Sequence, residues 1–325
     1  MLIILGARSL RWVSIYVAAI AGAAGLALAL SFGGSARAEP QGNNSAGGID
    51  LGARGGFGWA GAIGSTPTQE HTDNPIEFSA RAGFATDYIY RGTTLSAHQP
   101  AVGAAFEATY SIFYAGATMA SVKLPTQPAG EFTTTAGMRP KVGNVDFDLS
   151  VTRFYYPGET VAPGEFAGIE YWESIVRADT SIGELLRVAA GFAYSPNVSN
   201  TGAWSKYAAF GLGLDLPRRV LPQDVSVSVT GGAGYSWFGN QSAGLGGFPL
   251  PAYLNWNAGV TFSRKALNFD LRYYNTNLSK EDCFVFTGDP GATFGGRPNP
   301  ITNPEGLMSR WCSATVVAKF WFTFN

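Results

Sequence analysis

From Glu77 to the end of the chain, apolar and polar residues alternate with a period of two, not 3.6. The last stretch shows it most plainly. Across Ser313 to Phe324 the even positions are Ala314, Val316, Ala318, Phe320, Phe322 and Phe324, and the odd ones are Ser313, Thr315, Val317, Lys319, Trp321 and Thr323. A water-soluble strand with three phenylalanines on one face needs a second layer over them. A membrane strand of about 9 to 11 residues needs only lipid. Val145 to Tyr156 is as regular, setting Val145, Phe147, Leu149 and Val151 against Asp146, Asp148, Ser150 and Thr152.

Twelve such segments are predicted: Glu77 to Arg91, Pro100 to Tyr110, Tyr114 to Lys123, Glu131 to Val142, Val145 to Tyr156, Tyr171 to Ile182, Leu185 to Ser195, Tyr207 to Leu216, Val225 to Phe238, Tyr253 to Ser263, Asn268 to Leu278 and the closing stretch. Short connections (around Ile112, Gly143-Asn144, Gly183-Glu184, Pro217 to Asp224 and Arg264 to Leu267) alternate with mostly longer ones, the longest being Pro157 to Glu170 and Ser279 to Arg310. An even strand number with short turns at one end and long loops at the other is the layout of a bacterial outer-membrane barrel. The predicted fold is therefore all-β: a transmembrane antiparallel up-and-down β-barrel over residues 77–325.

Before the barrel, Arg8 and Arg11 precede an apolar run from Trp12 to Phe32 and small residues ending Ala36-Arg37-Ala38. Residues 1–38 read as a secretory signal peptide cleaved before Glu39, with an uncleaved inner-membrane anchor as the competing reading. No other apolar run approaches the roughly 18 residues of a spanning helix, so a membrane-embedded remainder must be a closed barrel. Residues 39–76, rich in Gly, Asn, Ser and Thr, read as a flexible periplasmic leader, with a plug-like tail as the alternative.

Composition agrees with this reading. Charged residues make up 14%, against about 25% in ordinary soluble domains, and 42 of 325 residues are glycine. A formal net charge of −1 points away from nucleic acid as a partner. Cys283 and Cys312 fall in one late segment of an exported chain, where an oxidising compartment favours their pairing; two thiols with no histidine nearby in sequence make a poor metal site. Tyr88, Tyr90, Tyr156, Trp172, Tyr194, Tyr235, Trp237, Tyr253 and Tyr273 cluster near the long-loop ends, where an outer aromatic girdle belongs. Parity puts Arg153 on the lipid face, either pairing with lipid phosphates near the rim or displaced by a bulge that resets the register.

The run Phe84-Ala85-Thr86-Asp87-Tyr88-Ile89-Tyr90-Arg91-Gly92, followed by Pro100-Ala101-Val102, resembles the opening hairpin of a proteobacterial outer-membrane porin family, conserved bacterial proteins of unknown function. The resemblance extends in outline over Glu77 to Asn325, including the late cysteine before the closing strand. It implies a barrel in the outer membrane and brings no substrate or catalytic residues with it. The aromatic-ended closing strand likewise resembles the strand that such barrels present to the barrel-assembly machinery.

The residues assigned to the lumen are Arg81, Asp87, Arg91, Glu107, Arg139, Asp146, Asp148, Glu173, Arg177, Arg187, Ser228, Gly232, Asp270, Arg272 and Lys319. Asp87 and Arg91, four apart on one inward face, either pair to brace the wall or filter solutes. Acidic and basic groups are nearly balanced, which argues against strong ion selectivity. Small residues on segments seven to ten, Ser228 and Gly232 among them, suggest an off-centre aqueous path. An outer-membrane lipase needs a serine and a histidine together on the wall, but the mature chain has only His71 in the leader and His98 in the first outer loop. The expected function is therefore a non-enzymatic, cofactor-free porin-like channel for passive diffusion of small hydrophilic solutes. The alternative is a non-conducting barrel that displays surface loops for structure or adhesion.

Overall fold

The computed structural model describes residues 76–160, 168–217, 221–222 and 224–324. The expected signal peptide, the expected leader up to residue 75, and Asn325 lie outside the described residues. Twelve long antiparallel strands form one sheet: β1 Ile76–Ala85, β2 Ala101–Tyr110, β3 Phe113–Ala120, β4 Glu131–Met138, β5 Val145–Tyr155, β6 Tyr171–Ile182, β7 Leu186–Ser195, β8 Ser205–Asp215, β9 Val225–Phe238, β10 Tyr253–Arg264, β11 Leu267–Thr276 and β12 Thr315–Phe324. Each strand pairs with its neighbours in sequence, and the sheet closes where β1 meets β12, from Ala80 opposite Phe324 to Ala85 opposite Lys319. The result is a closed up-and-down barrel with no free sheet edge.

The alternation read from the sequence decides which way each side chain points. Phe78, Phe84, Phe106, Phe210 and Phe322 stand outward, each about half exposed, while Thr133, Thr152, Glu173, Asp270, Arg272 and Lys319 are buried within. This inverts the arrangement of a soluble protein, where large apolar side chains are the ones most often buried. Among the described residues no second layer covers the outer face, which has the polarity suited to lipid. Phe320, Phe322 and Phe324 all lie on that face.

Two local features test the register. Pro140 lacks an N–H and interrupts β4, yet Met138 still faces Leu149 and, beyond the proline, Lys141 still faces Asp146, so the ladder resumes without a slip. Arg153 faces Thr134 on one side and Trp172 on the other in unbroken register. It therefore points outward with no bulge, and its guanidinium donates to Glu170 at 2.8 Å. The short turns include Gly143 and Gly183 at positive φ (60° and 66°), a conformation that glycine adopts without steric cost.

Several boundaries differ from the sequence reading. β1 ends at Ala85, because the chain then leaves the wall and forms a small hairpin, Ile89–Tyr90 paired with Thr93–Thr94. The long connection before β12 contains a helix, α1 Lys280–Thr287, whose N-terminus is capped by the Ser279 side chain accepting from the Asp282 N–H at 3.0 Å. Cys283 on α1 and Cys312 just before β12 form a disulfide. Of the nine aromatics expected in an outer girdle, Trp172, Tyr194, Tyr235, Trp237 and Tyr273 lie on the outer face, but Tyr88, Tyr156 and Tyr253 are buried inside and Tyr90 is half-buried there.

Outward Val229 and inward Ser228, adjacent on β9, provide a direct check of this polarity. Val229→Arg is expected to cost about 2–4 kcal/mol in urea titrations of folding into lipid vesicles. Ser228→Ala removes a buried hydroxyl that has no hydrogen-bond partner among the described residues and is expected to change stability by less than about 0.5 kcal/mol. Equal costs for the two would contradict the assignment of faces.

Candidate functional site

The interior carries charge on opposite parts of the wall, and most of it is paired. On β2 to β5, Arg139 donates to both oxygens of Glu107 (2.6 and 2.9 Å) and through Nε to Asp148 at 3.2 Å. Its guanidinium lies 3.7 Å from the centre of the Tyr114 ring, and the Tyr114 hydroxyl donates to Asp148 at 2.8 Å. On β9 to β12, Arg272 donates to Asp270 (3.1 and 2.9 Å), to Asn257 at 2.7 Å and to Thr230 at 2.7 Å. Lys319 donates to the Tyr274 hydroxyl at 2.6 Å. Arg187 pairs with Asp215, and Lys141 with Asp146. Arg81, Arg177, Ser228 and Gly232 also sit on the inner face of their strands. Charge-assisted, partly bidentate contacts of this kind brace a wall more than they leave a free site.

The glycines of β8 to β10 are not bare wall. The hydroxyl end of Tyr207 lies against Gly234, so that a Cβ there would overlap it. The Arg187 guanidinium covers Gly213, and Arg272 lies against Gly259. Absent side chains thus make room for large neighbours, and the off-centre aqueous path expected along this wall is partly filled.

The main feature missed by periodicity is the segment between β1 and β2, which turns into the bore. Its tip, Arg91 and Gly92, has positive φ at both residues (48° and 82°), where a strand cannot continue. Tyr88 donates to Glu131 on β4 at 2.6 Å. Arg91 donates to Glu173 on β6 at 2.8 Å and stacks 4.1 Å from the ring centre of Tyr207 on β8. Gly92 packs against Thr276 on β11 and Asn255 on β10. A segment rooted in β1 and β2 that touches β4, β6, β8, β10 and β11 crosses the bore from side to side. Around its root, Tyr88, Ile89 and Leu95 form an apolar core with Tyr274, Val317 and Trp321. The long-loop end of the interior is therefore crossed and packed by this segment. Asp87 and Arg91 do not share one wall: Arg91 reaches across to Glu173, while Asp87 stays at the hairpin root.

Asp87 organises that root. It accepts from Thr94 (2.5 Å) and Ser96 (2.9 Å), and its other oxygen lies 2.7 Å from His98 Nδ1. His98 Nε2 in turn lies 3.0 Å from the Arg310 carbonyl. Thr94 N–H donates to the Trp311 carbonyl at 2.9 Å, so the disulfide-held segment is fastened to the hairpin. Both ring nitrogens of His98 face acceptors, an arrangement that only the doubly protonated ring satisfies. Neither nitrogen is left to serve a nucleophile. Among the described residues, no cluster of His, Cys, Asp and Glu has the arrangement of a metal site.

The chain belongs to a family described as bacterial protein of unknown function (Gcw_chp), whose model matches residues 69–299. No curated protein matches it in sequence. Among solved structures it is similar to the KdgM porin, at 7% identity and a TM-score of 0.41 over 76% of this chain and 99% of that one. It is also similar to LpxR from Salmonella typhimurium, at 10% identity and 0.38 over 76% and 99%. In-vitro folded OmpT, an outer membrane protein of Vibrio cholerae, gives 8% identity and 0.34 over 77% and 99% in its trimer form. Likeness at this level says nothing of what this chain binds or does.

His98 has its pKa raised by the hydrogen bond to Asp87, with burial pulling the other way and the Arg310 carbonyl adding to the rise. A raised folded pKa stabilises the clasp fully below the unfolded value of about 6.5, and that stabilisation is lost as pH rises through the folded value. Amide exchange at Thr94 and Leu95, corrected for intrinsic rates, is expected to be slow at low pH and to accelerate through this window, and His98→Gln is expected to flatten the profile. PH-independent protection in the parent protein would exclude a charged clasp.

Proposed function

We propose that this protein is an outer-membrane channel of porin type, passing small hydrophilic solutes passively, with its bore held closed at the outer end by the hairpin between β1 and β2. The observation that carries the reading is the polarity of the closed barrel: an apolar exterior suited to lipid around an interior wall of paired charges crossed by one clasped segment. The long-loop end is taken as the outer face because bacterial barrels keep short turns in the periplasm. The aromatic-ended β12 is then the strand offered to the barrel-assembly machinery. Since most of the wall charges are paired with their opposites, permeation through it would be only weakly selective. No catalytic group or cofactor enters the proposal: both nitrogens of the one described histidine are held by Asp87 and the Arg310 carbonyl.

A second reading is a display barrel. The filled long-loop end favours it, as do Phe294 and Ile301, exposed by 72% and 74% on the loop that follows α1. Planar-bilayer recording separates the two. The channel reading predicts rare or small openings in the parent protein. Arg91→Ala and Glu173→Gln, which remove the contact across the bore, are expected to raise open probability at least about tenfold, the effect of roughly 1.4 kcal/mol. On that open background, Gly232→Arg and Ser228→Arg are expected to lower unitary conductance. Silence from the parent and from both hairpin-release variants would leave the display reading.

A further inference from the structure

At the long-loop rim of the barrel exterior, two basic side chains project from the strands among the described residues, and they are not alike. Arg153 on β5 is paired with Glu170. Lys206, the second residue of β8, is flanked across the ladder by Tyr194 on β7 and Trp237 on β9. Its ammonium stands 4.8 Å from the centre of the Trp204 ring, and no acid among the described residues lies within ion-pair distance of it. Trp204 is held in place. Its carbonyl accepts from Gly239 N–H at 2.8 Å, and its indole rests on Gly239 so closely that a Cβ there would strike the ring.

Phe192, Trp204, Lys206 and Trp237 line a depression of about 350 Å³. Its aromatic walls are well exposed: Phe192 by 45%, Trp204 by 38% and Trp237 by 41%. Further along β8 the same face continues with Phe210 and Leu212, exposed by 51% and 46%, so the ledge merges with the lipid-facing band.

An ammonium on the lipid side of a barrel is costly at mid-depth and tolerated near the interface. Cation–π contact with Trp204 offsets part of its desolvation but supplies no counter-charge. One unpaired cation above an apolar ledge complements an amphiphile whose head is anionic and whose tail is hydrocarbon. A free anion would meet a single cationic group and leave the ledge uncovered. We propose that Lys206 and the Trp204–Trp237–Phe192 ledge form a binding site for a phosphate-bearing lipid of the outer leaflet, with the phosphate on the ammonium and an acyl chain along the rings. The site rests on the membrane placement proposed above but not on conduction, so an electrically silent barrel would still bind the lipid.

Native mass spectrometry of the detergent-purified barrel tests this with three probes: diphosphoryl lipid A, its fully dephosphorylated form, and inorganic phosphate. The parent protein is expected to retain diphosphoryl lipid A about tenfold better than the dephosphorylated lipid. Lys206→Gln abolishes that difference, Lys206→Arg keeps it, and Trp237→Ala lowers retention of both lipids. Inorganic phosphate at lipid-equivalent concentration is expected not to compete. Equal retention of the two lipids by the parent protein, or equal retention of diphosphoryl lipid A by parent and Lys206→Gln, would overturn the proposal. Competition by inorganic phosphate would also overturn it, marking a free-anion site.

Discussion

The large apolar side chains of this barrel point away from its axis with no layer of described residues over them, and the rest of the structure follows from that constraint. Lipid offers the backbone no hydrogen-bond partner, so each strand must be satisfied by its neighbours and the last must return to the first. The ladder from Ala80–Phe324 to Ala85–Lys319 makes that closure. Closure then fixes the side chains, because a strand with one face in lipid turns its polar residues inward.

Polar residues turned inward need partners in a narrow interior. Glu173, only 1% exposed on β6, is the sharpest case, since a buried carboxylate without a cation is strongly destabilising. Its cation does not come from an adjacent strand. It comes from Arg91 at the tip of a hairpin rooted on the far side of the ring, and the Tyr207 ring, given room by Gly234, receives the same guanidinium. Electrostatic demand on one wall thus draws a segment of the opposite wall across the bore, and that geometry places a closed element in the path of any solute.

How much of this was legible in the sequence depended on whether local periodicity decided the outcome. Phe320, Phe322 and Phe324, and the dyads of Val145 to Tyr156, determine strand faces through neighbours one and two residues away, so the barrel was readable. Tyr88 and Tyr90 continue the alternation of Phe78 to Phe84 on paper, but the chain leaves the wall after Ala85 and alternation has no meaning there. The signals that mark the departure are Gly92, which takes positive φ without steric cost, and the apolar Val317 and Trp321 on the inward face of β12, which need something to cover them. Tyr156 and Tyr253 misled because a tyrosine at a strand end serves a lipid interface or the interior equally well: Tyr156 donates to buried Glu131 at 2.8 Å, and Tyr253 packs against Phe238 and Phe286. The glycine-rich face of β8 to β10 misled because an absent side chain means space only when the neighbours are small, and Tyr207, Arg187 and Arg272 are not.

The contact between Arg91 and Glu173 is where polarity, buried charge and closure of the bore meet, and it is open to direct observation. Solid-state NMR of the barrel in lipid bilayers, with the Arg91 guanidinium nitrogens and the Glu173 carboxyl carbon labelled, measures it without reference to any transported solute. A strong through-space correlation from an immobile guanidinium, as the 2.8 Å separation requires, is the predicted result. A mobile Arg91 with no correlation to Glu173 would show that the hairpin does not cross the bore, and would contradict the account.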